Sequence, residues 1–319
     1  MRLAFRAATS MALIALAACA AVATATPGPA TGPDYAIRLE ARHVPLGIGG
    51  ATLAPGVSYG GGLVLRGPEL HGLSDLKVTG ADPSELRAWA VSDFGHLVRF
   101  SIRLDRNGRL TSADDATNRP LIGPDGAVLA PKENADAEGL AVLPDGNVLV
   151  SFERDHRIWS YGSGASERPR LVSTPRQPFG DNQGIEGLAP APDGRWLALG
   201  EAGGAWLCDA EACDPLPNAP TAYTDGFLTT GADADPAGGW FIVQRLFTPP
   251  LNMQARVRHM APDGTLSEPL IHLRPPASTD NFEGVAAVAT STGTRLYLLS
   301  DDNDNFIQKT LLLAFDVRR

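Results

Sequence analysis

Short apolar segments separated by turns run through most of the chain, and three of them begin with nearly the same four residues. Glu-Gly-Leu-Ala occurs at 138–141 and at 186–189, and Glu-Gly-Val-Ala occurs at 283–286. The copies start 48 and then 97 residues apart, which is one and two lengths of a propeller blade. Each copy is followed by a turn and an apolar strand that ends in an acidic residue, and no long segment has helical periodicity. We therefore predict an all-β chain.

The length of the repeat predicts a β-propeller. Four short strands fit in each unit of about 45–50 residues, which is the usual content of a blade. Two weaker copies begin at residues 71 and 230, so five four-stranded blades are recognisable, and residues 94–137 leave room for a sixth. We expect N- and C-terminal strands, in 35–45 and 310–317, to pair and close the ring, which would hide its edges.

The N-terminus resembles a lipoprotein signal peptide. A basic start precedes an apolar run that is too short to span a bilayer. The run ends in Leu-Ala-Ala-Cys at 16–19, which resembles a bacterial lipobox in which Cys19 is lipidated. Ordinary cleavage after Ala25 is the alternative, and both predict export to the periplasmic side of the cell envelope. The predicted boundaries are 1–18 for the signal peptide, 19–34 for a tether and 35–319 for the propeller.

Charge and composition narrow the range of partners. The chain has a net charge of -9 and only three lysines, which argues against nucleic acid and is compatible with cation binding. No other run approaches the roughly 20 apolar residues of a membrane helix. We therefore expect membrane contact only through the lipid anchor, and a monomer.

The two remaining cysteines, Cys208 and Cys213, are close enough in sequence to close a small loop. An exported protein meets oxidising conditions, so we predict a disulfide that braces a hairpin. A zinc site is less favoured, because no second pair of ligands follows at metal-site spacing.

Three segments resemble the phytase-like domain of "esterase-like activity of phytase" proteins. They are residues 138–161, 181–201 and 280–317. The most specific part is the last one, with its SDDN-containing turn and leucine-rich closing strand. The resemblance implies a propeller fold and hydrolysis of phosphate or carboxylic esters. Two repeats depart from the pattern, since His71 and Thr230 stand where the other three copies have glutamate.

Two sets of charged residues occupy equivalent places in the repeats, and equivalent places form rings at the channel rim of a propeller. The first ring is Glu138, Glu186 and Glu283. The second, at the end of the second strand of each unit, is Asp93, Glu153, Glu201, Arg245 and Asp301. Converging oxygen atoms suit Ca²⁺ or Mg²⁺. The alternatives are glutamates that cap strand ends, and a ring of salt bridges between blades.

The segment 301–305, Asp-Asp-Asn-Asp-Asn, is the densest oxygen cluster. It lacks the glycine and the distal glutamate of an EF-hand, so a different calcium loop and an acidic surface turn both remain open. Ca²⁺ is the predicted cofactor. The predicted metal ligands are Glu138, Glu186, Glu283, Asp301 and Asp302.

No H-E-x-x-H motif occurs, and the one G-x-S-x-G match, at 56–60, is not followed by a predicted helix as a nucleophile elbow requires. Water activated by a metal, with a rim glutamate as base, is then the more economical mechanism. Arg245 has the forked geometry to bind an anionic group, and His156 is the histidine nearest to a rim acid. The candidate catalytic residues are Glu186, Glu283, His156 and Arg245.

Three functions remain open. The first is metal-dependent hydrolysis of small anionic phosphoesters or of other esters. The second is a lactonase-like activity, because the channel residues resemble the glutamate, asparagine and aspartate ligands of that group of propellers. The third is a non-catalytic propeller that binds a ligand or a protein in the envelope, which needs no cation.

Overall fold

Strands account for almost all of the regular structure. The computed structural model describes residues 33–80, 82–180, 183–249 and 252–319. Cys19 and the predicted signal peptide lie outside the described residues, so lipidation stays a prediction. In the described part the chain has one short helix, α1 (Lys132–Ala135), and no helix there is long and apolar enough to cross a membrane.

The strands follow one another in short steps separated by turns rich in glycine, proline and aspartate, which favour chain reversal. In chain order they are β1 (Tyr35–Ala36), β2 (Glu40–His43), β3 (Ala51–Leu53), β4 (Val57–Arg66), β5 (Leu73–Thr79), β6 (Arg87–Ser92), β7 (His96–Leu104), β8 (Leu110–Pro120), β9 (Ala137–Val142), β10 (Asn147–Phe152), β11 (Arg157–Ser163), β12 (Arg170–Leu171), β13 (Ile185–Pro190), β14 (Trp196–Gly200), β15 (Ala205–Cys208), β16 (Cys213–Pro215), β17 (Leu228–Ala234), β18 (Trp240–Thr248), β19 (Asn252–Met260), β20 (Ile271–Leu273), β21 (Asn281–Thr290), β22 (Gly293–Asp301) and β23 (Thr310–Arg318).

These strands form five antiparallel sheets, the blades of a propeller, which confirms the predicted fold class. From the channel outwards, blade 1 is β5-β6-β7-β8-β1, blade 2 is β9-β10-β11-β12 and blade 3 is β13-β14-β15-β16. Blade 4 is β17-β18-β19-β20-β3, and blade 5 is β21-β22-β23-β4-β2. The segment that left room for a sixth blade instead supplies β7, β8 and α1. The blade count is therefore five.

Blade 5 closes the ring by combining N- and C-terminal strands, as predicted. The N-terminal strand that pairs with the C-terminal one is not the predicted segment 35–45. β23 pairs with β4, and β2 lies one strand further out. The reason lies in the two sequences. β4 carries the largely buried run Gly60–Leu65, whereas β2 is the short polar sequence Glu-Ala-Arg-His, and short polar strands suit an exposed sheet edge.

The inner strands of adjacent blades approach one another closely, and this explains the glycine of the repeated motif. A Cβ added at Gly231 would lie 2.4 Å from the carbonyl oxygen of Glu283, and one added at Gly284 would lie 2.6 Å from the backbone nitrogen of Leu76. Only a residue without a side chain fits there. The glycine thus serves packing, and the residue before it is free to face the channel.

Cys208 and Cys213 lie opposite each other on the β15–β16 hairpin, with Cα atoms 4.0 Å apart, and their sulfurs are bonded. The pair braces the outer edge of blade 3 and lies away from the channel.

Candidate functional site

Each inner strand has a register irregularity near its start, where it reaches one end of the channel. A bulge of this kind turns a side chain out of the regular alternation. The residues at these positions are Ser74, Glu138, Glu186, Thr230 and Glu283. The structural counterpart of the glutamates in blade 1 is therefore Ser74 and not His71. The Gly72-Leu73 pair that matches the motif in sequence comes before the bulge in β5, so the alignment by sequence was three residues out of place.

The second ring is positioned by backbone hydrogen bonds at the end of the second strand of the blade. The backbone nitrogen of Glu153 donates to the carbonyl oxygen of Asp136 at 2.9 Å, and that of Glu201 donates to Gly184 at 3.1 Å. Asp93 is held in the same way by Gly72, at 3.0 Å. These bonds fix the strand ends beside the inner strands and direct the side chains to the rim.

The two rings come together in one cavity of about 180 Å³. It is lined by eight carboxylates and three cationic side chains, together with Ser74 and Asn303. The acids are Asp93, Asp136, Glu138, Glu153, Glu186, Glu201, Glu283 and Asp301, and the cations are Lys132, Arg154 and Arg245. We call this space the acidic cavity. So many like charges at low effective dielectric repel one another strongly.

The three cations neutralise only part of this charge. Arg245 lies between two acids, with its Nε 3.1 Å from Glu283 and an Nη 3.5 Å from Glu201. On the opposite side, Asp136 pairs with Lys132 at 3.0 Å and with Arg154 at 2.7 Å. Of these three cations, only Arg245 was among the site residues predicted from the sequence.

Burial and mutual repulsion raise the pKa values of the rim carboxyls. The pKa of Glu153 and that of Glu283 rise to about 7, chiefly through burial. Burial also raises the pKa of Asp301 to about 8. The pKa values of Glu138 and Glu186 are well above the usual range, because both are desolvated and both face other acids. Groups that titrate near neutrality are suited to proton transfer.

Three of these acids form a compact group with the chemistry of a cation site. Ligand oxygens of Asp136, Glu138 and Glu153 all lie within 4.8 Å of one another. Carboxylate oxygens are the ligands that Ca²⁺ and Mg²⁺ prefer. Within the described part of the chain, no hydrogen-bond donor reaches the side chain of Glu138 or Glu153, so both have acceptor capacity to spare. The donor set therefore fits a hard divalent cation.

The predicted metal ligands differ in their positions relative to this group of three acids. Glu138 belongs to it, and Glu186, Glu283 and Asp301 line the same cavity. Asp302 does not line it. Its Oδ1 accepts a hydrogen bond from the backbone of Asp304 at 3.2 Å, and its Oδ2 accepts one from Thr310 at 3.3 Å. Asp136 and Glu153 were not among the predicted ligands, although Asp136 stands two residues before a motif glutamate.

His156 lies outside the lining of the acidic cavity. Its Nε2 is 3.1 Å from the carbonyl oxygen of Gly180, and its ring packs edge-on against Phe179 with 5.3 Å between the centroids. The nearest rim acid, Glu153, directs its carboxylate to the cavity. The structure thus brings together three of the four predicted catalytic residues, Glu186, Glu283 and Arg245.

Comparison with solved structures finds similar chains of low sequence identity. The chain is similar to the major allergen Mala s 1 of Malassezia sympodialis, with 16% identity over 83% of this chain and 90% of that chain, at a TM-score of 0.44. It is similar to the aldose sugar dehydrogenase of Streptomyces coelicolor in its PQQ-bound form, with 14% identity, coverages of 91% and 99%, and a TM-score of 0.41. A luciferin-regenerating enzyme matches with 11% identity, coverages of 83% and 90%, and a TM-score of 0.40.

A search of curated proteins gave no match. The family models gave one over most of the chain: "Phytase-like: Esterase-like activity of phytase" matches residues 68–304. The matched region spans the inner strands of all five blades and every residue of the acidic cavity. The chain therefore belongs to the phytase-like family, the family that its repeats resemble.

Proposed function

We propose that this protein is a metal-dependent hydrolase of phosphoesters or other esters, with its site in the acidic cavity. The observation that carries the proposal is the excess of eight carboxylates over three cations in one confined space. Such a group must hold protons or bind a cation to persist at neutral pH. Family membership supports ester hydrolysis as the reaction.

The cation, Ca²⁺ in this proposal, would be held by Asp136, Glu138 and Glu153. When bound, it would supply positive charge to an anionic ester group and to the attacking water. This ligand set differs from the one inferred from sequence, because Asp302 does not line the cavity, and Glu186, Glu283 and Asp301 line it outside the compact group.

The protein's own residues would perform the remaining steps. Arg245 would bind the ester oxygens through its fork, since Glu283 and Glu201 hold its guanidinium at the edge of the cavity. Glu186 would take a proton from the attacking water, because within the described residues no donor occupies its carboxylate. The pKa of Glu283, raised to about 7, suits it to return a proton to the leaving alcohol.

Metal analysis and hydrolysis assays test this proposal together. The purified protein is expected to carry a divalent cation, and to hydrolyse a phosphomonoester or a carboxylic ester, with loss of activity in EDTA and recovery on adding Ca²⁺. A lactone in the same panel tests the lactonase alternative. If no metal copurifies, neither Ca²⁺ nor Mg²⁺ shifts the melting temperature and no ester is hydrolysed, the hydrolase proposal is wrong and a binding propeller remains.

Matched substitutions locate the cation. Glu138→Gln combined with Glu153→Gln is expected to abolish the rise in melting temperature caused by Ca²⁺. Asp302→Asn is the control, because Asp302 is acidic, close in sequence to the rim and outside the cavity. Loss of the Ca²⁺ response in Asp302→Asn alone would place the cation in the 301–305 loop.

We further propose that the mature chain begins at Cys19 and is lipid-anchored on the periplasmic side of the envelope. Labelling with palmitate is expected for the full-length chain and not for Cys19→Ser. A mature N-terminus at Thr26 would show that ordinary cleavage takes place.

A further inference from the structure

A second cavity opens beside the acidic one, and its character is different. It has a volume of about 500 Å³ and lies between blades 4 and 5, within the roughly 300–1,000 Å³ that is usual for small-molecule sites. Phe247 at the end of β18 and Met253 at the start of β19 form one side. Pro275 and Ile307, from the segments before β21 and after β22, also line it. We call this space the apolar cleft.

Two large apolar side chains of the cleft are exposed. Phe247 is 47% exposed and Ile307 is 57% exposed. Of the eight exposed large apolar side chains in the described part of the chain, these two line the concave surface, together with Met253 and Pro275. Exposed apolar surface gathered in a concavity is a mark of ligand binding.

The cleft joins the acidic cavity at a polar border. Arg245 and Asn303 line both spaces. Thr279, which lines the cleft, has a buried hydroxyl oxygen with no hydrogen-bond partner among the described residues. A buried hydroxyl normally has a partner, so this one is available to a ligand. A ligand lying in the cleft would reach Arg245 directly.

The charge of the acidic cavity limits which ligands can bind where the two cavities meet. The lining has five more carboxylates than cationic side chains, and each of those cationic side chains is already paired with an acid. A substrate with many phosphates would find little unpaired positive charge there to offset its own charge. A substrate with one small anionic or neutral ester group needs less.

We propose that the apolar cleft binds the alkyl, acyl or aryl part of the substrate while its ester group lies at Arg245. The substrate class is then an ester with one apolar substituent and no more than one small anionic group. This inference rests on the proposed hydrolase function. In the reaction one water is consumed and the ester C–O or P–O bond breaks. A carboxylic ester gives the alcohol, the carboxylate and a proton, and a phosphomonoester dianion gives the alcohol and hydrogen phosphate.

Two substrate pairs with small constant groups test the cleft, and they distinguish the two kinds of ester. One pair is methyl acetate and methyl hexanoate, followed by acid release. The other is methyl phosphate and hexyl phosphate, followed by phosphate release. In the pair that is hydrolysed, kcat/KM is expected to be at least about tenfold higher for the six-carbon substrate. Inositol hexakisphosphate, with Ca²⁺ kept in excess over its phosphate groups, is expected not to be hydrolysed.

The double substitution Phe247→Ser with Ile307→Ser is expected to reduce that ratio of kcat/KM values by about tenfold. Val128→Ser is the matched control, because Val128 is 56% exposed and lies in blade 1's connection to blade 2. It is expected to keep the ratio. Melting curves of all three proteins show whether they fold.

Binding of hexanoate, measured by calorimetry, tests ligand binding in the cleft independently of ester hydrolysis. Hydrolysis without any chain-length preference would overturn the cleft inference and leave the proposed function intact. Hexanoate binding that is lost in the double variant, without hydrolysis of any ester, would support the cleft and overturn the hydrolase proposal. If the protein neither binds hexanoate nor hydrolyses an ester, both are wrong.

Discussion

Two groups of buried acids lie on or beside the inner strands of this propeller, and they differ in the hydrogen-bond donors that surround them. One is the acidic cavity at the rim. The other, which we call the inner layer, consists of Asp75 and Lys77 on β5 and Asp233 on β17, all nearly inaccessible to solvent.

The acids of the inner layer are supplied with donors. Asp75 accepts hydrogen bonds from Lys77 at 2.6 Å, from the backbone of Leu76 at 2.7 Å and from the backbone of Leu140 in the next blade at 2.9 Å. Asp233 accepts one from the backbone of Ala287, also in the next blade, at 2.8 Å. These acids tie neighbouring blades together.

The rim differs in the supply of donors. The carboxylates of Glu138, Glu153 and Glu186 accept no hydrogen bond from any described residue, although Glu153 and Glu186 are as buried as Asp233. Other rim acids do have donors: Asp136 pairs with Lys132 and Arg154, and Glu283 accepts a hydrogen bond from Asn281 at 2.6 Å. The contrast with the inner layer therefore holds for Glu138, Glu153 and Glu186. The presence or absence of hydrogen-bond donors thus distinguishes structural carboxylates from candidate functional ones, which the sequence by itself does not.

The largest expected effect comes from breaking the inner layer. Lys77→Met leaves Asp75 without its cation in a fully buried place, which is expected to lower the free energy of unfolding by about 3–5 kcal/mol. Chemical denaturation at about pH 8 measures it. Lys132→Met is the control at the rim, where the side chain is 42% exposed and the loss is expected to stay below about 1 kcal/mol. Equal losses would show that the two layers do not differ.

A smaller effect is expected from pH. The pKa of Asp233 is raised to about 6, that of Asp75 to about 7, that of Glu283 to about 7 and that of Asp301 to about 8, in each case mainly by burial. All lie above the value of about 4 that carboxyls have in an unfolded chain. The folded state therefore holds protons that the unfolded state has released. Their stabilising contribution is complete below about pH 4 and is lost as pH rises through about 6 to 8.

The cation-free protein is accordingly expected to lose unfolding free energy between about pH 5 and about pH 8, by about 2–3 kcal/mol for each carboxyl whose pKa lies near 7. Saturating Ca²⁺ should reduce the pH dependence of the unfolding free energy that comes from the rim acids, because a bound cation replaces their protons. The pH dependence that comes from the inner layer should remain. Denaturation series with Ca²⁺ and with EDTA measure both. A profile that rises with pH in EDTA would contradict the shifts.

The fold and the motif glutamates could be predicted because blades repeat. Equal spacing along the chain becomes equivalent position around the ring, so Glu138, Glu186 and Glu283 were placed at one rim from the sequence. The count of five or six blades could not be settled, because the outer strands β7 and β8 of blade 1 are long enough to resemble a separate unit.

The rest of the site depends on features that do not repeat. Lys132 lies on the only helix of the described residues, which precedes β9, and Asp136 follows that helix. Neither has a counterpart in the other blades. The β5 bulge comes after the Gly72-Leu73 pair that resembles the motif, so Ser74 takes the place that the sequence alignment assigned to His71. Asp302 and Asp301 are adjacent in sequence, yet the turn after β22 directs only Asp301 to the cavity.

The smallest expected effect has opposite signs in the two layers, and it tests the comparison most directly. Glu186→Gln removes one of several neighbouring carboxylates at the rim and adds an amide that can donate to the others. In EDTA at about pH 8 we expect it to raise the free energy of unfolding by about 1–2 kcal/mol. Asp233→Asn is the matched change in the inner layer. It places an amide against backbone N–H groups that now donate to Asp233, and we expect a loss of about 1–3 kcal/mol.

The same two variants should respond differently to Ca²⁺, since Glu186 lines the acidic cavity and Asp233 does not. The rise in melting temperature caused by Ca²⁺ is expected to shrink in Glu186→Gln and to persist in Asp233→Asn. Because the expected signs are opposite, a general loss of stability cannot imitate the result. If both substitutions destabilise the cation-free protein, the rim acids are satisfied by the fold after all, and their excess charge gives no reason to expect a cation.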